Sequence, residues 1–437
     1  MPVSKRVAVL ADSDTRWKWG ALTAHRIAPD CAAEDGSLTG FLLRGRATPT
    51  ARQLGEVGVQ ADRLDEVTCA EFLAELRREH YDVVVLALVG GAVQAVLHGI
   101  RALWPEPARR PVLVTGYVGV VYEKLADGLL LRHGADVVLA NSRHDADRFR
   151  AVYEGAGADA GAVTETALPF LDGPAYVPAG SRAHTVVFAA QPSVPAGPTE
   201  RSYLLRRAAE HARLHPDREV LIKLRSKPGE HTTHIEELPY QRLAEKLPAG
   251  LPPNCRLVYG NMGEVLDRTD LLVTVSSTAA LESLARGIPT AVLTDLGIRE
   301  ALGNHHFLGS GCLVSWDGID AGLRPTGDPD WLAAQGVTSD APYEAARARI
   351  AALAALPELP PVAPYYTAAT APGYLPGILA RHHLAPDGTV LPGAAKALSE
   401  RSRLRRYLRT YLREAARGTY RHGVQRVAPV IRRLGEL

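Results

Sequence analysis

Three hydroxyls in a row, Ser276-Ser277-Thr278, stand between a strand-length apolar run and an Ala/Leu-rich segment. Glu282 follows four residues after Thr278, one helical turn in and on the same face. Hydroxyls at a helix start cap it or bond an anion, because the first backbone N–H groups there have no intrahelical partner. A carboxylate one turn deeper suits a ribose, so the set fits a nucleotide phosphate beside its sugar. A plain N-cap on an ordinary helix accounts for the hydroxyls taken alone. Leu281, Leu284, Ala285 and Ile288 form the buried stripe, Gly287 closes the helix and Pro289 blocks its continuation.

A second group is cationic. In Glu219–Leu224 the residues Val220, Ile222 and Leu224 face one way, and Leu221, Lys223 and Arg225 the other, with Lys227 just beyond. Cations at a strand's C-terminal end suit a phosphate, and a solvated charged loop is the plainer alternative. A third group follows the first strand, where Asp12 and Asp14 precede Trp17 and Trp19. Aromatic faces stack on sugars, so Asp12 and Trp17, with Tyr117 at a later strand end, are candidate acceptor contacts. The competing account makes the aspartates N-caps and puts Trp17 in the core. His231 and His234 sit three apart with nothing at the spacing that completes a metal site, so no metal ligands are assigned.

Glu282, Ala285, Gly287 and Pro289 (E-x-x-A-x-G-x-P) resemble the donor-site helix of GT-B glycosyltransferases. The hydroxyls before them resemble the Ser-Ser/Thr motif of capsule polysaccharide transferases, CDP-glycerol glycerophosphotransferases and bacterial sialyltransferases. The whole chain is similar to an actinobacterial family assigned provisionally as glycosyltransferases. The resemblance implies that Glu282 binds the donor ribose and that Ser276, Ser277, Thr278, Lys223, Arg225 and Lys227 meet donor phosphate. It also implies that Asn261 lies in the loop contacting the base, and that Asn304 or His305 meets donor sugar or phosphate. Two departures stand out: Thr274 replaces a second acid common in retaining enzymes, and a His-Pro pair that usually follows the Lys is missing. An inverting transfer needs a general base in the first domain, with Asp14 the first candidate and Glu123 the second.

Positioning these groups requires alternating strands and helices. Lys5–Leu10, Thr39–Leu43, Asp82–Leu88, Pro111–Thr115 and Asp136–Ala140 read as strands of one Rossmann-like domain. Thr185–Ala190, Glu219–Leu224, Arg256–Tyr259, Leu271–Val275 and Thr290–Thr294 read as those of another. The expected fold class is α/β, of GT-B type, with two Rossmann-like domains facing a cleft. Residues 1–170 form the acceptor domain, 171–184 the linker and 185–335 the nucleotide-donor domain. A Pro/Ala-rich connecting segment, 336–393, wraps back over the first domain, and 394–437 is a basic amphipathic helix.

Composition sets the class. With 46% hydrophobic and 22% charged residues, the 437-residue chain is an ordinary water-soluble type with room for two domains. Four scattered cysteines without a C-x-x-C pair fit a reducing cytoplasm, and the N-terminus has no signal-peptide profile. From Lys396 to Arg433, twelve Lys and Arg face only Glu400 and Glu414, so the remainder is net acidic. That tail can lie on an anionic membrane surface or pack on the first domain; the acidic bulk argues against nucleic acid.

The expected function is metal-independent glycosyl transfer from a nucleotide sugar, a co-substrate with no further cofactor, to a cell-surface glycan or lipid-linked acceptor. The expected location is the cytoplasm, at the inner face of the membrane. The alternatives are a glycerophosphate-type transferase and a non-catalytic GT-B scaffold. A UDP-sugar 2-epimerase ranks below them, because Val275-Ser276-Ser277-Thr278 stands where those enzymes carry Asp-Ser-Gly-Gly.

Overall fold

A computed structural model describes residues 5–32, 37–45, 47–120, 124–227, 230, 236, 238–339 and 341–392. The first domain contributes strands β1 (Arg6–Ala11), β2 (Ser37–Leu43), β3 (Arg63–Val67), β4 (Val83–Ala87), β5 (Val112–Gly116), β6 (Val137–Ala140) and β7 (Val163–Glu165). They form one 7-stranded sheet in the order β3-β2-β1-β4-β5-β6-β7. The second domain contributes β8 (His184–Ala189), β9 (Arg218–Lys223), β10 (Cys255–Val258), β11 (Leu271–Thr274), β12 (Thr290–Leu293) and β13 (Leu313–Val314). Their 6-stranded sheet runs β10-β9-β8-β11-β12-β13.

Every pairing in both sheets is parallel. Parallel strands are joined by crossovers that cover both faces, so central strands read as unbroken apolar runs; all five residues of β4 are buried. The order reverses between β1 and β4 in one sheet and between β8 and β11 in the other, the doubly wound pattern with its crevice at the strands' C-terminal ends. Two such Rossmann-like domains around a cleft make the GT-B arrangement.

Sequence reading missed β3, β7 and β13, and all three lie at sheet edges or last positions. β3 carries only one fully buried residue, Val67, and β13 has two residues in all. Edge strands bury one side at most, so the apolar run that marks an inner strand is missing.

The chain does return to the first domain after the second. Tyr343, Ala346, Ile350 and Leu359 join the core on one face of the first sheet, and Leu375, Ile378, Leu379 and Leu384 the core on the other. Leu359 also pairs with Ala108 in an antiparallel bridge. Below the cleft the domains share an apolar contact, where Val120 and Leu168 of the first meet Ala280, Leu281 and Leu284 of the second. That gives Leu281 and Leu284 of the expected buried stripe their partners. The basic helix expected at 394–437 lies outside the described residues.

Candidate functional site

A cavity of about 540 Å³ lies at the C-terminal ends of both sheets, between the domains. Its second-domain wall comes from the turns after β8, β9 and β11. Its first-domain wall comes from the start of the helix Asp14–Ile27, the helix Ala51–Val57 and the loop after β5. Both crevices at a strand-order reversal therefore open into one space.

The hydroxyl turn is shaped by local bonds. The Ser277 N–H donates to Thr274 Oγ1 at 3.2 Å, and Ser277 Oγ accepts the Ala279 N–H at 3.2 Å. Thr278 stands at the N-cap of the helix Ala279–Ala285 in αR conformation and makes no side-chain cap bond. Ser276 is held from two sides: its N–H donates to Gln191 Oε1 at 3.0 Å, and its Oγ donates to the Leu302 carbonyl at 2.5 Å. Gly119 of the first domain comes so close that a Cβ there would lie 3.1 Å from Thr278 Oγ1. A side chain at 119 would require Thr278 Oγ1 to give way by a few tenths of an ångström.

Glu282 is buried to 7% exposure, and its carboxylate stands 3.6 Å from Lys18 Nζ of the first domain. Burial pushes its carboxyl above the usual range, with Lys18 and Arg286 pulling the other way. Lys223 is equally buried, and its Nζ donates to the Leu224 carbonyl at 2.8 Å. Burial brings its ammonium down to about 8, and the Glu56 carboxylate offsets part of that. Arg225 reaches across the cleft and donates to Asp14 Oδ1 at 2.5 Å. Asn261 lines the same cavity; its Oδ1 accepts the Gly263 N–H at 2.8 Å and caps the next helix.

So the structure brings together Asp14, Lys223, Arg225, Asn261, Ser276, Ser277, Thr278 and Glu282. Others are placed elsewhere. Trp17 is 1% exposed and packs under Gly40 in the first-domain core, so it offers no face to an acceptor. Asp12 ion-pairs with Arg16 at 2.9 Å and accepts the Val89 N–H at 2.9 Å, tying β1's end to that of β4 instead of lining the cavity. Tyr117 packs on Phe149 with the Arg132 guanidinium 4.1 Å from its ring centre, behind the cavity wall. Lys227 lies over Tyr259 at 5.8 Å and does not line the cavity.

Asn304 is fully buried. It donates to the Leu293 and Gly297 carbonyls at 3.1 and 2.9 Å and accepts the Arg299 N–H at 3.0 Å, so it is a loop brace and no donor contact. His305 is exposed and does not line the cavity. Glu123, like His231 and His234, lies outside the described residues.

Lys18, Gln191 and Glu56 are among the lining residues that the sequence reading did not single out. Lys18 stands four residues after Asp14, a same-face spacing that could have flagged it. Gln191 directly follows β8 at the order reversal, a position the topology marks. Glu56 sits on a short helix that the sequence reading did not pick out.

One cluster among the described residues has metal-ligand proximity: ligand atoms of His211, His215 and Asp320 lie within 4.8 Å of one another. Both His211 ring nitrogens are already used, Nδ1 at 2.5 Å from Asp320 and Nε2 at 3.3 Å from Arg218. The cluster joins two helices away from the cavity and reads as structural.

A family model described as "Putative glycosyltransferase (DUF6716)" matches residues 7–353. The chain belongs to that family. No curated protein matches the sequence. Among solved structures, the glycotransferase of kitacinnamycin is 15% identical, covering 91% of this chain and 99% of that one with a TM-score of 0.43. The S. aureus MnaA structure with UDP is 12% identical, covering 79% and 94%, with a TM-score of 0.48. The UDP-GlcNAc 2-epimerase from Neisseria meningitidis bound to UDP-GlcNAc is 10% identical, covering 79% and 97%, with a TM-score of 0.47. These are likenesses of fold alone. Among the described residues of this DUF6716 protein, no helix is long and apolar enough to cross a membrane.

Proposed function

We propose that this glycosyltransferase-family protein moves a sugar from a nucleotide-activated donor to a hydroxyl of a glycan or lipid-linked acceptor. What supports the reading most is the convergence of Lys223, Ser276, Ser277, Thr278 and Glu282 on one cavity at the strand-order reversal. Glu282 accepts hydrogen bonds from the donor ribose. Lys223 and the hydroxyl turn receive the phosphate. When the bond from the sugar's anomeric carbon to phosphate oxygen breaks, its electron pair stays on that oxygen, and these groups offset the added charge. The step as proposed uses no metal ion.

The acceptor hydroxyl attacks the anomeric carbon as its proton passes to a carboxylate of the first domain. Asp14 is the described candidate, since it lines the cavity opposite the hydroxyl turn. The protein would work in the cytoplasm, with its arginine-rich C-terminal segment against the inner membrane face.

Titration of the purified chain with CMP, CDP, UDP, GDP and dTDP tests the donor site. One nucleotide is expected to raise thermal stability, by about 1 kcal/mol or more at tenfold excess over its dissociation constant. Ser277→Ala and Glu282→Ala are each expected to weaken that nucleotide at least tenfold. If none of the five binds, the reading fails; nucleotide binding with no transfer to any acceptor would favour the scaffold.

A further inference from the structure

The proposed donor site holds less free positive charge than its residue list suggests. Among the described residues, four cations line the cavity: Arg16, Lys18, Lys223 and Arg225. Three already face carboxylates: Arg16 to Asp12 at 2.9 Å, Lys18 to Glu282 at 3.6 Å and Arg225 to Asp14 at 2.5 Å. Among the described residues, Lys223 has no carboxylate within ion-pair distance and bonds only the Leu224 carbonyl. Glu56 and Glu300 line the cavity too, so acids match bases there. The remaining polar lining is neutral, above all the three hydroxyls and Gln191, which give hydrogen bonds without charge.

We propose that the donor carries its sugar on a single phosphate, as a nucleoside-monophosphate sugar, and not on a diphosphate. This rests on the donor-site reading and narrows it. A phosphodiester brings one negative charge, and Lys223 with the hydroxyl turn meets it while every existing ion pair stays intact. A pyrophosphate diester brings two. Its second charge must draw Arg225 off Asp14, leaving a carboxylate of 12% side-chain exposure unpaired beside an incoming anion. Stripping one partner from a largely buried pair costs more than the pair contributes, and repulsion between the two anions adds to it. The cavity selects by charge count before it selects by base.

The test uses the full chain in EDTA-containing buffer, so that no metal bridges a pyrophosphate. The probes are methyl esters of the 5′-monophosphate and 5′-diphosphate of cytidine, uridine, guanosine and thymidine, which carry the same charges as the sugar-linked forms. Calorimetric titration is expected to show, for the base that binds, about tenfold tighter binding of the monophosphate ester. Lys223→Met is expected to weaken that ester at least tenfold while the chain still unfolds cooperatively. Asp14→Asn, which releases Arg225 in advance, is expected to narrow the gap by strengthening the diphosphate ester alone. Equal or tighter binding of the diphosphate ester by the unaltered chain overturns the proposal and leaves the donor site standing. Binding of neither ester for any base overturns both.

Discussion

Two turns face each other across the cleft, one after β1 and one after β11, and they are built alike. Each follows a buried parallel strand, carries a serine that bonds a helical N–H, and opens a helix. Ser13 accepts the Arg16 N–H at 3.4 Å, as Ser277 accepts that of Ala279. After β11 the chemically capable residues Ser276, Ser277, Thr278 and Glu282 all line the cavity. After β1 the set divides: Asp14 and Lys18 line it, whereas Trp17 and Trp19 sink into the core and Asp12 ties two strand ends. Helix length explains the division. The helix Asp14–Ile27 runs across the sheet and must bury a full stripe, which Trp17, Ala21, Ala24 and Ile27 supply. The seven-residue helix after β11 meets its apolar neighbours with Ala279, Ala280, Leu281 and Leu284, and its polar start is left to the cleft.

The comparison breaks most sharply at Trp17. If it belongs to the core, Trp17→Ala costs about 4 kcal/mol in urea unfolding and leaves the nucleotide affinity of the folded fraction within about threefold. A small stability change with lost acceptor use would return it to the cleft. Asn304→Ala is expected to cost about 3 kcal/mol, because it strands two carbonyls and an N–H at a fully buried site; its nucleotide affinity should hold.

Lys223→Met acts the other way and is expected to stabilise the unliganded chain at pH 7 by about 2 kcal/mol, after loss of its hydrogen bond. The folded value of about 8 lies below lysine's ordinary one, so the folded chain bears the full cost of a buried ammonium below pH 8. The gain over wild type should therefore be constant there, shrink between about 8 and 10.5, and turn into a loss of about 1 kcal/mol above, where only the missing hydrogen bond counts, which unfolding at pH 7, 9 and 11 would follow. A gain independent of pH would mean that packing, and not charge, drives it. His305→Ala closes the series, with less than about 0.5 kcal/mol in stability and no change in nucleotide binding.

What could be read from the sequence follows the same division. Inner strands announced themselves within two residues at each end, because burial on both faces leaves uninterrupted apolar runs, as in Val83–Ala87. The β11 turn was legible because its polar residues are adjacent and its helix is short. Asp14, Lys223 and Arg225 were read as cleft residues from strand-end position, and Asn261 from the family resemblance, and all four line the cavity. Trp17, Asn304, Tyr117, Lys227 and His305 show the limit: which way a side chain turns depends on the phase of its helix or the bracing of its loop, and neither is local in sequence. Glu56 came from a helix whose only strong signal is the Thr50–Gln53 capping box, too small a mark to single out an acid three residues later.

The return of residues 341–392 to the first domain bears on how the molecule is made. The second domain's sheet is continuous in the chain, from His184 to Val314, and can close as soon as those residues leave the ribosome. The first domain, although begun at the N-terminus, keeps both faces of its sheet partly bare until Ile350 and Leu384 arrive. Domains commonly mature in the order of synthesis. Here the half that starts first is the half that finishes last, and a chain truncated after the second domain would display the bare face of its neighbour.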